Sequence, residues 1–344
     1  MALLALRSGE TVSGHDAQPL VSVVITNYNY GRYLSQCIHS VVAQNYARLE
    51  VIVVDDGSTD DSRTAIASYS SRICASFQSN GGVISATNHG FRLSHGSVVI
   101  FLDADDYLLP GAVHSHVEAH RESGVVRSQA YLTVLNDSRL SAGTMPQKRA
   151  AEGDLRELIL ARGPGAYVCS PTSGNAWARS FLEQVLPLPE ELKGVPQDAL
   201  LMDTAPLFGK TVTLKARAAV YRMHQDSASA AFVGMTLENM QKILVHYEKR
   251  SIRLAEVAAT LGHRTSPPVW KASNWRILTL EYLSRRLSPG FPAPQSPQHF
   301  GSAFKIRGTF WKRLLLASVI LGIRVAPTKV ALRIASRIIE LRSM

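Results

Sequence analysis

Phe101-Leu102-Asp103-Ala104-Asp105-Asp106 closes an apolar run, Val98 to Leu102, with three carboxylates in four positions. The run has the length and character of a buried strand. Carboxylates this close repel one another, so in ionised form they need a cation, and hard ions such as Mg²⁺ or Mn²⁺ take oxygen ligands. Open α/β sheets bind their ligands where apolar strands end at the carboxyl edge. The stretch therefore predicts a metal and nucleotide site on the edge of an α/β sheet.

Upstream the same alternation repeats. Val21 to Thr26 is an apolar, β-branched strand that runs into the turn composition Asn27-Tyr28-Asn29-Tyr30-Gly31. From Arg32 to Gln44 the spacing of Leu34, Cys37, Ile38, Val41 and Val42 is helical. Val51 to Val54 predicts a second strand ending in Asp55-Asp56-Gly57-Ser58-Thr59-Asp60, where Ser58, Thr59 or Asp60 is placed to cap a helix reaching about Ser70. Ile73 to Phe77 predicts a third strand, Asn80-Gly81-Gly82 a turn and Ile84 to Leu93 a helix. Such alternation gives parallel βαβ units with right-handed crossovers. Thr26, Tyr28, Asp55, Asp56 and the 103–106 cluster then fall along one edge of one sheet.

Downstream, the pattern predicts a helix from Pro110 to about Ser123 and a strand over Val125 to Leu135. Asn136 to Gly153 is polar and reads as a mobile loop. Residues 154–162 read as helical, Leu200 to Phe208 as a helix, and Val212 to Tyr221 as a strand pair or one long strand. Leu237 to Leu261 and Trp270 to Leu287 are again helical in pattern, and Ser288 to Gln298 is a Pro-rich linker. The expected organisation is a leader over 1–19, an α/β domain over 20–232 and a helical extension over 233–287. The linker over 288–300 and a basic amphipathic tail over 301–344 complete it.

Composition excludes several classes. With 344 residues, 46% hydrophobic and 19% charged, the chain has material for a large core and is not a disordered sequence. Cys37, Cys74 and Cys169 are far apart and odd in number, so neither a disulfide framework nor a zinc knuckle is expected, and a reducing cytoplasm fits. Met1 to Leu20 lacks the basic start and apolar stretch of a signal peptide, and no run reaches the ~18 apolar residues of a membrane span. The net charge of +10 is concentrated, because residues 301–344 hold nine Lys/Arg against Glu340 alone. Basicity thus marks the tail, and no nucleic-acid partner is expected. Lys329, Arg333 and Arg337 form a helical stripe beside Val330, Ile334, Ile338 and Leu341. That pattern suits either an anionic membrane surface, on the cytoplasmic face, or packing against protein.

Together, Val21 to Tyr30, Val51-Ile52-Val53-Val54-Asp55-Asp56-Gly57-Ser58-Thr59-Asp60 and Phe101 to Asp106 resemble the family-2 glycosyltransferases of GT-A fold, over roughly residues 20 to 230. Three motifs in order and spacing carry the resemblance. It implies an α/β, Rossmann-like, mostly parallel sheet flanked by helices, here with a C-terminal helical extension. It also implies transfer of a sugar from a UDP-, GDP- or dTDP-sugar donor to a hydroxyl of a glycan or lipid-linked acceptor, as in cell-surface polysaccharide synthesis. Inversion at the anomeric carbon and a divalent metal, Mg²⁺ or Mn²⁺, on the diphosphate go with it.

By motif position the resemblance implies that Thr26 and Tyr28 meet the nucleobase and that Asp56, with Asp55 beside it, accepts from the base. Asp103 and Asp105 form the D-x-D pair, Asp105 as the direct metal ligand and Asp103 near ribose and diphosphate, while Asp106 is a turn or supporting group. The catalytic base is implied about 90 residues further on, at Asp198 of Gln197-Asp198, with Gln197 where Glu is frequent and Asp203 as a rival. A helix cap is the other role open to Asp198. Ser173-Gly174-Asn175-Ala176-Trp177 resembles the acceptor-lining segment, with core packing open for Trp177. Tyr221-Arg222-Met223-His224, with Ser227 and Ser229, resembles the loop over the donor phosphates, with a packing role open for His224. Thr87 departs from the pattern, since Arg or Lys is frequent there; Arg222 or His224 then supplies the phosphate contact, or it is absent. Thr87 and Gln197 together motivate an alternative, a catalytically lapsed sugar-nucleotide binder.

Other patterns are set aside. Gly209-Lys210-Thr211 lacks the first glycine of a P-loop, Thr204 standing there. His114, His116 and His120 read as a solvated helix face for want of partner ligands. Asn274-Trp275-Arg276 is not the QxxRW of processive synthases, so single addition is expected.

Overall fold

Four apolar strands form the parallel half of the main sheet: β1 (Val21–Asn27), β2 (Leu49–Asp55), β3 (Cys74–Phe77) and β4 (Val98–Asp103). Helices α1 (Gly31–Val42), α2 (Ser62–Ala67) and α3 (Val83–Leu93) make the crossovers. The structure is a computed structural model and describes residues 18–136, 139–224 and 236–287, with residue 330. Residues 1–17 of the leader expected over 1–19, Ser227 and Ser229, the linker, and the tail apart from Val330 lie outside the described residues.

Alternation along the strands sorts the core into two layers, as it must when both faces are covered. Val24, Ile52, Val54, Val99 and Phe101 pack on one face; Val23, Ile25, Val51, Val53, Ile100 and Leu102 pack on the other. Gly90 lets α3 touch the first face, because a Cβ there would stand 2.2 Å from Val24 Cγ1. Gly90→Ala should therefore destabilise: overpacking of about 1–3 kcal/mol exceeds the helix-propensity gain of up to about 1 kcal/mol. A thermal melt checks this, and an unchanged or higher Tm would contradict the contact.

After β4 the chain makes β5 (Tyr107–Leu108), α4 (Ala112–His120), β6 (Val125–Gln129), β7 (Leu132–Asn136) and β8 (Arg139–Met145). Next come α5 (Arg156–Arg162), a 3₁₀ turn at Thr172–Gly174, β9 (Asn175–Ala178), α6 (Arg179–Val185) and α7 (Gln197–Thr204). β10 (Lys210–Thr213) and β11 (Ala219–Met223) complete the strands. The main sheet runs β10-β6-β9-β4-β1-β2-β3, with β9 antiparallel to β4 and β6 and the other pairings parallel. A second sheet, β5-β11-β7-β8, stands at its carboxyl edge.

Four readings of the sequence change here. The loop expected over Asn136 to Gly153 contains β8, paired with β7. The single strand expected over Val125 to Leu135 breaks into β6 and β7, which serve different sheets, with Ala130 N donating to Gly174 O at 2.8 Å between them. Likewise β10 and β11 join different sheets. Finally, α4 packs beside β6, so His116 is fully buried with Nδ1 2.8 Å from Ser128 Oγ, and His120 Nε2 lies 3.3 Å from Ala176 O. Burial pushes their pKa values down to about 3 and about 4. Only His114 keeps an exposed side chain.

The helical extension comprises α8 (Leu237–Thr260), α9 (Pro267–Ser273) and α10 (Trp275–Leu287). Leu254, Val257, Ala258 and Trp270 share one core with Phe181, Leu200 and Leu201. No helix among the described residues is long and apolar enough to cross a membrane.

Candidate active site

Parallel register brings the polar strand ends together. Thr26 pairs with Val54 on one side and Asp103 on the other, and Asn27 pairs with Asp55. Asp55 is fully buried and accepts from Asn27 Nδ2 at 2.8 Å and Ser58 N at 3.2 Å, which ties the turns after β1 and β2. Asp56 accepts from Gln78 Nε2 (2.6 Å) and Gly81 N (2.9 Å) on Oδ1 and from Gly82 N (2.8 Å) on Oδ2. Asn29 takes a left-handed φ of 58°, which Asn tolerates, and locks to Ser58 and Thr59. Tyr28 stands exposed on this rim. Tyr28, Tyr30, Arg32 and Asp60 line a hollow of about 610 Å³; none of the Asp103 to Asp106 carboxylates lines it.

The three carboxylates after β4 have separate fates. Asp106 is buried: its Oδ2 accepts from Ser173 Oγ at 2.6 Å and its Oδ1 from Arg222 N at 2.9 Å. It thus clamps the 3₁₀ turn and β11 to the turn after β4, as a supporting group. Asp105 Oδ2 meets His224 Nε2 at 3.0 Å, and its carbonyl accepts from Arg222 Nε at 2.8 Å. Pairing of β11 with β5 directly after the carboxylates explains how residues more than 100 positions apart return here. His224 also packs against Tyr30 and Tyr33, and Arg222 lies 4.5 Å over the Tyr33 ring. Asp103 is half-buried, its N donating to Ser173 Oγ at 3.3 Å.

Burial first, and charge repulsion after it, set the ionisation of these carboxyls. Burial, then Asp105 and Asp198, push the Asp103 carboxyl up to about 8, against a Thr172 hydrogen bond. Burial, Asp105 and Asp103 hold Asp106 well above the carboxylate range. Asp198 is also raised, chiefly by burial, and is pulled back by the Ala199 N–H, Arg250, Thr172 and Arg127. Asp198 sits in the first turn of α7, with its Oδ1 2.7 Å from Ala199 N. Asp103 and Asp198 therefore share one electrostatic environment, with the Thr172 hydroxyl supporting both.

Asp203, the rival for the base, is consumed elsewhere. It makes a bidentate pair with Arg250 of α8 at 2.7 and 2.8 Å and accepts from Gly165 N at 3.0 Å. The segment expected to line the acceptor, Ser173 to Trp177, is buried throughout, and for Trp177 the structure takes the core role that the sequence left open. Trp177 is 1% exposed, packed between Phe181 and the buried Arg127 guanidinium, so no ring face is open to an acceptor. Asn175 is buried, with its Oδ1 accepting from Arg127 Nε at 2.9 Å and its Nδ2 donating to Pro171 O at 2.6 Å. Gly174 is buried too, since a Cβ there would meet Leu132 Cδ1 at 2.4 Å. Ser173 serves Asp106. Thr87 is fully buried on α3, its Oγ1 without a hydrogen-bond partner, so that position faces no phosphate.

Sequence reasoning missed Thr172, Gln78, Arg127 and Arg250. Arg127 is fully buried and bonds Asn175, Tyr167 and Gln129, and Tyr167 OH donates to Met202 O of α7. That chain links the sheet to the helix that carries Asp198. A charged residue inside the apolar strand Val125-Val126-Arg127 is the only hint the sequence offers.

Comparison with known proteins agrees with this geometry. The family described as glycosyl transferase family 2 matches residues 22–153. An uncharacterized glycosyltransferase of Nostoc sp. is 36% identical over 294 residues, 79% of this chain and 89% of that protein. Solved structures are more distant in sequence. A mannosyltransferase from Pyrobaculum calidifontis in complex with GDP-Man and Mn²⁺ is 17% identical, with a TM-score of 0.51 over 95% of this chain and 86% of its own. TarS residues 1–349 of S. aureus in complex with UDP-GlcNAc is 16% identical, with a TM-score of 0.52 over 93% and 90%. The fold is GT-A, a mostly parallel sheet flanked by helices. The chain belongs to family 2 of the glycosyltransferases, and it is a transferase enzyme.

Proposed function

We propose that this glycosyltransferase is inverting and metal-dependent, and that it moves a sugar from a nucleotide-sugar donor to a hydroxyl of a glycan or lipid-linked acceptor. Cell-surface polysaccharide synthesis is the setting we infer. The carrying observation is that Asp198 lies close enough to Asp103 for its charge to raise that carboxyl, with the Thr172 hydroxyl supporting both.

Inversion needs one in-line displacement. The acceptor oxygen bonds to the anomeric carbon as the bond from that carbon to the diphosphate oxygen breaks, and the electron pair leaves on the diphosphate. Asp198, raised in pKa yet kept ionisable by Arg127, Arg250 and Thr172, takes the acceptor proton. Asp103 and Asp105 fit a hard cation as two adjacent carboxylates whose repulsion a dication would relieve. Among the described residues no three His, Cys, Asp or Glu side chains converge to hold a metal ion by themselves, so substrate phosphate would have to complete the coordination. Such a metal, when bound, supplies Lewis-acid stabilisation to the leaving diphosphate. His224, on Asp105, and Arg222, on the turn, keep the β11 end over that position.

A panel of UDP-, GDP- and dTDP-sugars with Mn²⁺, read by thermal shift, tests the donor reading. A ligand at 100 times its Kd adds about 2.7 kcal/mol. No stabilisation by any donor would sink it, and binding with neither transfer nor hydrolysis would favour a lapsed binder. Asp105→Ala is expected to abolish the Mn²⁺ dependence of donor affinity in the same assay; an unchanged metal dependence would remove Asp105 as a ligand.

A further inference from the structure

Asp56 has almost no acceptor capacity left. A carboxylate offers about four lone-pair directions. Oδ1 uses two, on Gln78 Nε2 at 2.6 Å and Gly81 N at 2.9 Å; Oδ2 uses one, on Gly82 N at 2.8 Å. One direction on Oδ2 remains. The surrounding groups hold that count fixed. Gln78 Oε1 faces His89 Nδ1 at 2.9 Å, and His89 Nε2 faces Ser76 Oγ at 3.0 Å. Turning the Gln78 amide would set its oxygen against the carboxylate, so Asp56 orients Gln78, and Gln78 in turn requires the proton of His89 on Nδ1. The second hydrogen of Gln78 Nε2 goes to Ser85 Oγ at 3.1 Å, a contact that a ligand carbonyl in that direction would displace.

A base edge read here must offer one ring N–H to Oδ2 with a carbonyl beside it for Gln78. The imide edge of uracil or thymine does so. Guanine adds a second donor, its 2-amino group, and would leave it unpaired or break a contact on Oδ1. Cytosine and adenine would turn a ring-nitrogen lone pair toward the carboxylate. The similar solved structures hold GDP-Man and UDP-GlcNAc respectively, so the fold alone does not choose the base.

We propose that the donor of this enzyme is a uridine or thymidine diphosphate sugar, selected by the Asp56–Gln78–His89 chain, with Gln78 as the specificity-determining residue. This rests on the reading of Asp56 as a donor-base acceptor given above.

The test is calorimetric titration of the full chain with UDP, dTDP, GDP, CDP and ADP in Mn²⁺. UDP or dTDP is expected to bind at least about tenfold more tightly than the other three, the size of one unpaired donor. Gln78→Leu frees a direction on Oδ1, so the preference for UDP over GDP should narrow; His89→Ala, which releases the Gln78 amide, should narrow it in the same sense. GDP bound as tightly as UDP by the unaltered protein overturns the base assignment while leaving the donor site standing. An unchanged preference in both variants overturns the role of Gln78. Failure of every nucleotide to bind overturns the donor reading and this inference with it.

Discussion

Asp198→Asn is expected to lower kcat by about 10²–10⁴-fold, the usual contribution of a positioned general base, while donor affinity stays close to that of the unaltered enzyme. The variant keeps the side-chain volume and the oxygen that accepts from Ala199 N, so the first turn of α7 should stand. What it loses is the ability to take a proton. Burial raises the Asp198 pKa, so this carboxyl is still partly protonated above the ordinary carboxylate range. The active form is the ionised one, and activity should rise with pH through that raised pKa. The acidic limb of the kcat/KM profile should accordingly lie above the usual Asp range and vanish in Asp198→Asn. Steady-state kinetics over pH, paired with donor titration, measures both. Near-normal turnover in the variant would return Asp198 to the role of a helix cap.

What the sequence made legible follows from what is local. β1 to β4 announce themselves by short apolar runs, and Asp55, Asp56 and Asp103 lie at strand ends that parallel register must align. The second sheet is non-local: β5 has two residues and β11 pairs with it across more than 100 positions, so no window of sequence contains the signal. Motif position also does not say which way a side chain points. Asn175 and Trp177 are two apart on a strand and share a face. That face meets Arg127, a partner 48 residues away from Asn175. Asp203 remained a rival to Asp198 for the same reason. It is an acid close to the expected base, and only its contact with Arg250, 47 residues on, shows that it is occupied.

Asp203→Ala should cost about 3–5 kcal/mol of stability, because it strands a buried charge instead of merely deleting a contact. The Arg250 side chain is 13% exposed and that of Asp203 4%, so water cannot replace the lost carboxylate. The guanidinium is held by both Asp203 oxygens, and Gly165 N loses its acceptor in the same step. Arg250 also helps to hold Asp198 down in pKa. Left unpaired it would act more strongly on Asp198, and the acidic limb of activity should move toward lower pH in whatever fraction stays folded. Arg250→Met in the same chain provides the control: replacing both partners of a buried pair by apolar groups is often near neutral. The double variant should recover much of the lost stability, since the orphaned charge is gone. It should not restore the single variant's pH shift, because the cation that caused it is gone as well. Chemical denaturation of the two single variants and the double variant measures the coupling. Purely additive losses would mean that the pair contributes nothing to anchoring α8 on α7.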